Sequence, residues 1–312
     1  MHSSTSSLRR ARQRMLGATL TAAALLLSGC VTNVEGGNPD GWEPIVPDRV
    51  DAIAAMVPED IAASGVLSIG TNPPFAPFEF KDSQGNLIGV EMDMGRAVAS
   101  VMGLEYDAQD MDFAMILPAV QAGSLDAGIS GFTDNEERRQ SFDFINFLYA
   151  GVQWAQQPGA NVNPEDPCGL TVAVQRTTVS DTDDVRPKAE KCEEEGKEPL
   201  TILAFDTSDN AALAALVGRA DALSADSPVT AWAVERSDGD LELVGEMFQA
   251  APYGFAVPKG SQLADAMAAA MQHLIETGDY ARILAQWNIT TGLLDQALVN
   301  EQPFAAQEGQ GI

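Results

Sequence analysis

Ser130-Gly131-Phe132-Thr133-Asp134-Asn135-Glu136-Glu137-Arg138 is the stretch from which the rest of the chain is read. It follows a short apolar run, Ala127-Gly128-Ile129, that reads as a strand, and it leads into a polar segment that reads as a helix. Asn135 suits an N-cap, and Glu136 and Glu137 fall in the first turn, where the helix dipole favours acids. Such a strand-to-helix corner gathers the hydroxyls of Ser130 and Thr133, free backbone amides and the Arg138 guanidinium. Those groups suit a carboxylate, because Arg offers a planar two-donor fork and the amides add further donors. The same residues also fit a solvated charged helix in which Arg138 sits between Glu137 and Arg139, so this stretch alone leaves both readings open.

The chain begins with a targeting pattern over 1–29. Arg9, Arg10, Arg12 and Arg14 make a positive start, Met15 to Leu27 is an apolar run too short for a spanning helix, and Leu27-Ser28-Gly29-Cys30 closes it. Ending on a cysteine, the segment resembles a bacterial lipoprotein signal, which makes Cys30 the expected lipidation site and first mature residue. Without that segment's four arginines, 14 of the 18 basic residues face 45 acidic ones, a net charge near −31. So acidic a body excludes nucleic acid as a partner class and leaves the lipid as the expected hold on the membrane.

Export also bears on the cysteines. With Cys30 assigned, Cys168 and Cys192 are left as a pair in an oxidising compartment and are expected to form a disulfide. No metal site and no cofactor are expected: His2 and His273 are the chain's two histidines, and the cysteine spacing does not suit paired zinc ligands.

Residues 30–63, rich in Gly, Pro and Asp, read as a tether with one amphipathic piece at 50–56. From Gly65 the pattern is α/β. Strands are expected at 66–70, at 104–109 and before the central corner, with a hairpin turning at Ser83-Gln84-Gly85-Asn86 and helices at 90–102 and 114–122. An extended run at 147–156 leaves this unit. A second alternation follows, with strands at 170–174, 200–205, 222–224, 241–244 and 253–257. Helices are expected at 180–195, 209–217 and 228–235, then over 262–287 with a break at Gly278. Strands alternating with helices imply sheets covered by helices.

Six landmarks now stand in order: Gly70-Thr71-Asn72-Pro73-Pro74-Phe75-Ala76-Pro77-Phe78-Glu79; Gly89-Val90-Glu91-Met92-Asp93; Gly123-Ser124-Leu125-Asp126-Ala127; the central Thr133 to Arg138; Gly218-Arg219-Ala220-Asp221-Ala222 with Asp226; and Tyr253-Gly254-Phe255-Ala256-Val257-Pro258-Lys259-Gly260. In this order they resemble the extracytoplasmic solute-binding proteins of ABC importers, in the polar amino-acid-binding family, solute-binding protein family 3.

The resemblance implies an α/β fold of the periplasmic-binding-protein type II: two α/β lobes joined by two crossing strands, with ligand in the cleft between. It places lobe 1 at 64–153 and 252–300, lobe 2 at 154–251 and a tail at 301–312. Hinged closure of such lobes buries a small polar ligand. Carried over residue by residue, Arg138 is the expected grip on an α-carboxylate, with Ser130, Thr133 and Thr178 beside it. Asp226 is the expected partner of the α-ammonium, Phe75 and Phe113 are the expected aromatic walls, and Asn72 lies at the side-chain end. Asp226 before Ser227-Pro228 also fits a helix cap, and both aromatics also fit a plain core.

Two departures from the family pattern stand out. Thr177 occupies a position where Gly is usual, which puts the contact expected of Thr178 in doubt. Asn72 stands where binders of cationic amino acids tend to carry an acid, so neutral or polar ligands are expected over cationic ones. The function so implied is a monomeric, lipid-anchored, extracytoplasmic receptor that hands an α-amino acid or close relative to the membrane subunits of an ABC permease. It is not expected to be an enzyme. The alternatives are a dehydratase-like enzyme on the same scaffold and a ligand-sensing lobe. The sequence shows no Gly-x-Ser-x-Gly elbow, no Gly-rich phosphate loop and no usable His/Cys pair.

Overall fold

The computed structural model describes residues 37–304. The targeting segment 1–29, Cys30, the first residues of the expected tether and residues 305–312 of the tail lie outside the described residues.

The first half of the chain forms α1 (Asp51–Ala54), α2 (Glu59–Ser64), β1 (Val66–Thr71), β2 (Phe80–Lys81), β3 (Leu87–Ile88), α3 (Val90–Met102), β4 (Glu105–Asp110), α4 (Phe113–Gln121), β5 (Ala127–Gly128) and β6 (Phe142–Gln156). Then come β7 (Thr171–Gln175), α5 (Arg186–Glu194), β8 (Thr201–Phe205), α6 (Ser208–Leu216), β9 (Ala222–Asp226), α7 (Ser227–Glu235) and β10 (Glu242–Pro258). The described chain closes with α8 (Gln262–Thr277), α9 (Asp279–Gln286), β11 (Leu298–Val299) and β12 (Gln302–Pro303).

The strands follow the order β4-β1-β5-β10-β6-β9-β7-β8, with β11 beside β6 and β12 on β11. β10 and β6 run antiparallel along their whole length, from Glu242 opposite Gln156 to Pro258 opposite Phe142. The β1/β4/β5 group joins the far end of β10, through Ala256 opposite Gly128. The β7/β8/β9 group joins the other end of β6, from Val152 opposite Asp226 to Gln156 opposite Ala222. Two long strands thus cross between two parallel groups, each covered by its own helices, the arrangement of the type II binding-protein fold. Between the groups the β6/β10 pairing slips, with register shifts between Val244 and Phe248, Phe248 and Ala251, and Tyr253 and Gly254. Broken pairing of this kind is where a sheet bends most readily.

Local chemistry explains the helices that frame the site. In α3, Val90, Met92, Met94, Ala97, Val98 and Val101 are all buried, and Gly103 ends the helix at φ 74°. The Ser261 hydroxyl accepts from Leu263 N at 3.2 Å and caps α8. Gly278, at φ 81°, separates α8 from α9 where the break is expected.

The structure corrects four expectations. The polar segment after Asn135 is one 3-10 turn, Arg138–Gln140, since the apolar run of β6 resumes at Phe142 and favours pairing. Asn135 Oδ1 still accepts from Arg138 N at 2.9 Å, but the residue before the turn is Glu137 and no side chain caps it. The strands expected at 241–244 and 253–257 are one 17-residue strand, because β6 offers a partner along the full length. The helix expected at 180–195 starts as a π turn, Ser180–Val185, before α5. The described part of the tether is no free spacer from Trp42 onward. Ile45, Ile53 and Val57 are buried, Trp42 Nε1 donates to Asp93 at 2.7 Å, and Ser100 Oγ donates to Pro47 O at 2.6 Å. Scattered apolar side chains there find a groove beside α3 that the sequence does not display.

Cys168 and Cys192 form the expected disulfide, tying the loop before β7 to α5. Cys192 packs among Val172, Val174, Val185 and Leu200. For a sequence separation of 24, the cross-link should be worth about 3 kcal/mol in the chain-entropy model. Thiol titration of unfolded, unreduced protein is expected to find neither thiol free. Reduction should lower the unfolding midpoint; an unchanged midpoint would contradict this.

Candidate functional site

The chain's chemistry converges at the carboxyl ends of parallel strands, where open α/β sheets leave loops and helix starts free to meet a ligand. β1 delivers Phe75, the start of α4 delivers Phe113, and β5 delivers Ser130, Gly131 and Thr133 with Arg138 behind them. From the other strand group, β7 delivers Gln175, Thr178 and Val179, and β9 ends on Asp226. Together these ten residues line one narrow cavity of about 10 Å³. That is room for about one water molecule, far below the roughly 300–1,000 Å³ of sites for drug-sized ligands.

Seven of the residues expected at the site therefore meet around one space: Phe75, Phe113, Ser130, Thr133, Arg138, Thr178 and Asp226. Asn72 does not line it. Its Nδ2 donates to Met111 O at 2.8 Å and its Oδ1 accepts from Gln175 Nε2 at 2.8 Å, so both ends of the amide are engaged in joining β1, β4 and β7. Gln175 is further held by Asp206 O, to which its Nε2 donates, and by the Ser208 hydroxyl, which donates to its Oε1.

Arg138 is half-buried and aimed by three contacts. Nη1 donates to Thr133 O at 2.9 Å, Nη2 donates to Thr177 O of the opposite strand group at 3.4 Å, and the guanidinium lies 5.7 Å from the Phe132 ring centre. With five N–H donors, it keeps further donors for the cavity. Burial lowers its pKa from the ordinary value, and nearby Asp226 opposes that drop. Phe132 stacks on Phe113 at 4.9 Å and Phe75 on Phe78 at 5.4 Å, so both aromatic walls are backed by other rings.

Gly131 has φ 55°, and a Cβ there would lie 2.6 Å from the Phe75 ring. The bare backbone lets that wall close over the corner. Thr177 adopts φ 63°, the left-handed conformation that glycine usually supplies. Its N–H donates to Asp181 Oδ2 at 2.9 Å, which holds the turn despite the side chain. Thr178 consequently still reaches the cavity wall, its hydroxyl donating to Gln175 O at 2.8 Å.

Asp226 is buried, and loss of hydration pushes its carboxyl up to about 6; the neighbouring Tyr253 hydroxyl and Arg138 pull the other way. It makes no side-chain cap to α7, so the cap reading does not hold. Behind the corner lie two residues the sequence reading passed over as site residues. Glu79 Oε1 accepts from Ser130 Oγ at 2.5 Å, and Glu91 Oε1 accepts from Gly131 N at 2.9 Å. Both carboxyls are wholly buried. Their signal in the sequence is an acid inside an apolar run, Phe78-Glu79-Phe80 and Val90-Glu91-Met92.

The family model for bacterial extracellular solute-binding proteins, family 3, matches residues 67–290. The chain is 64% identical over 296 residues to the arginine-binding protein ArgT of Corynebacterium glutamicum, an alignment that covers 94% of this chain and 97% of that one. Among solved structures, an ancestral arginine-binding protein bound to arginine superposes with TM-score 0.66 at 32% identity, over 72% of this chain and 98% of the other. ArtJ, the arginine-, lysine-, histidine-binding protein of Geobacillus stearothermophilus, gives TM-score 0.63 at 30% identity, over 71% and 94%. With two strand groups joined by crossing strands and a small polar cavity at their meeting edges, this chain belongs to the bacterial extracellular solute-binding proteins, family 3.

Proposed function

We propose that this chain captures arginine, or a closely related cationic amino acid, in the cavity between its two strand groups and delivers it to an ABC importer. On this reading the protein is held at the outer face of the membrane by lipid on Cys30 and acts as a binder, not an enzyme. One observation carries it: Arg138 from the β5 side and Asp226 from the end of β9 face the same small space. A zwitterion needs one fixed cation and one fixed anion, and taking them from opposite groups ties its charges to closure. Charge-assisted contacts of this kind contribute roughly 1.5–3 kcal/mol each, so a few bring a small ligand toward micromolar binding, about −8 kcal/mol.

The expectation of a neutral ligand rested on Asn72 and on the lack of a second acid at the carried-over positions. Asn72 spends its side chain on Met111 and Gln175, so its neutrality has no direct bearing on ligand charge. Further acid is present one layer back, in Glu79 and Glu91. The names of the relatives support the cationic reading.

A thermal-shift screen of arginine, lysine, histidine, glutamine and a neutral aliphatic amino acid tests it. A ligand at 100 times its Kd should add about 2.7 kcal/mol of stability, and arginine is expected to give the largest shift. A larger shift with glutamine, or none with any amino acid, would overturn the reading.

A further inference from the structure

Gln175 lines the cavity from the end of β7, and the atoms around its amide decide which way that amide faces. Nε2 donates to Asn72 Oδ1 at 2.8 Å and to Asp206 O at 3.0 Å, and Oε1 accepts from the Ser208 hydroxyl at 2.6 Å. Asp206 O is a backbone carbonyl and can only accept. Asn72 is itself turned by a second backbone carbonyl: its Nδ2 donates to Met111 O at 2.8 Å, which leaves Oδ1 facing Gln175. Turning either amide over would set oxygen against oxygen, at Met111 O or at Asp206 O. Both N–H groups of Gln175 are therefore spent, and a free lone pair on Oε1 is what its side chain has to offer a ligand.

Two hydroxyls on the same cavity are turned the same way. Ser130 Oγ donates to Glu79 Oε1 at 2.5 Å and accepts from Asn72 N at 3.3 Å. Thr178 Oγ1 donates to Gln175 O at 2.8 Å and accepts from Asp181 N at 3.3 Å. A hydroxyl has one hydrogen and two lone pairs, so each of these keeps a lone pair, and no hydrogen, for a solute. The Asp226 carboxylate adds further acceptors. Among the described residues that line the cavity, the side-chain donors left are Arg138 and the Thr133 hydroxyl. These two stand together, with Arg138 Nη1 on Thr133 O.

Resting on the reading of the cavity as an amino-acid site, we propose that this protein selects its ligand by hydrogen-bond polarity, with Gln175 as a specificity-determining residue and Asn72 as the residue that positions it. The Arg138 and Thr133 corner donates, and suits a carboxylate. The Ser130, Thr178 and Gln175 side chains accept only, and suit a ligand side chain that brings N–H groups. A guanidinium, with five N–H donors and no acceptor, is such a group. A carboxylate or carbonyl on the ligand side chain would meet lone pairs there, and a buried acceptor left without a donor is costly. Asn72 does not line the cavity, so it acts on the ligand through the amide that it orients.

Methylated arginines separate donor count from charge, because symmetric and asymmetric dimethylarginine keep the cation and each give up two of its N–H groups. Calorimetric titration of the full detergent-solubilised chain compares them with arginine. Wild type is expected to prefer arginine. Gln175→Met removes the acceptor at nearly constant length. It should narrow the ratio of arginine to the weaker-bound dimethylarginine by about tenfold, the scale of one charge-assisted hydrogen bond. Asn72→Leu frees a Gln175 N–H and lets the amide turn, so it should narrow that ratio in the same direction. The double variant should go no further than Gln175→Met, because Asn72 acts through Gln175. A ratio undiminished in either folded variant would show that bulk excludes the methyl groups, and would overturn the proposal; so would effects that add in the double variant. If neither variant folds, the wild-type series decides: weaker binding of a dimethylarginine supports the proposal, and equal affinity of all three overturns it. Each of these failures leaves the arginine reading intact, whereas wild type that binds no arginine overturns both.

Discussion

Arg138→Ala is expected to fold normally and to lose arginine binding by roughly 2–5 kcal/mol, the cost of stranding a desolvated carboxylate. At 1.4 kcal/mol per tenfold, that is a rise in Kd of about 30-fold to several thousand-fold, readable by calorimetry at pH 7.5. Folding should survive because the guanidinium is half-buried and its hydrogen bonds go to two carbonyl oxygens, Thr133 O and Thr177 O, on the cavity rim. Arg138→Lys should fall between the two, since it keeps the charge and loses the two-donor fork. Agmatine, which is arginine without its carboxylate, supplies the chemical counterpart. It should bind wild type poorly and be little affected by Arg138→Ala, because it lacks the group that Arg138 is proposed to hold. Wild-type affinity for arginine in a folded Arg138→Ala protein would remove the carboxylate corner from the site.

Asp226→Asn is expected to stabilise the empty protein while destroying its binding. The Asp226 carboxyl is raised from 3.8 to about 6 by burial. A raised acid binds its proton more tightly in the folded state, so its contribution to stability is greatest at low pH, falls between about pH 4 and pH 6, and stays low above. Two pKa units correspond to about 3 kcal/mol, which is the upper limit of what Asn should restore at pH 8. Denaturant unfolding of wild type and variant should therefore diverge as pH rises from 4 to 8, with the variant more stable at the upper end. Binding of the ammonium should drop by a further 2–5 kcal/mol. A site that holds a desolvated charge until its ligand arrives trades stability for affinity in this way. Equal stability of the two proteins across that range would show that Asp226 is not strained in the empty state.

Much of the site was legible because its parts are local. A strand followed by Ser-Gly-x-Thr and an arginine five residues beyond Thr133 brings hydroxyls, amides and a guanidinium to one corner, where Asn135 Oδ1 accepts from Arg138 N. Gly103 and Gly278 end helices where a left-handed residue is needed, and an exported pair of cysteines closes on itself. These depend on backbone rules that act over a few residues, or on compartment chemistry. The family resemblance added the long-range part, the meeting of Asp226 with Arg138 across 88 positions.

Asn72 and Thr177 show where such reasoning stops. Asn72 was weighed by the charge it lacks, but its role depends on Gln175, 103 residues later, reaching its side-chain oxygen. Thr177 was weighed by its Cβ, but Asp181 supplies a bond that holds its amide in the strained turn. Residues from Trp42 onward looked like a spacer because the segment is rich in Gly, Pro and Asp, and the surface they pack on, formed by α3 and α8, exists only in the fold.

By itself the sequence determined the α/β class, most helix ends, the disulfide and the residues that gather at the corner after β5, all of which rest on short-range propensity or on residue type. Only the tertiary structure decided that β10 is one strand, that the early segment is packed, and that Glu79 and Glu91 are buried behind Ser130 and Gly131. The physical reason is burial. Whether an acid is solvated, paired or left holding a charge depends on which distant side chains remove its water, and that is a property of the fold.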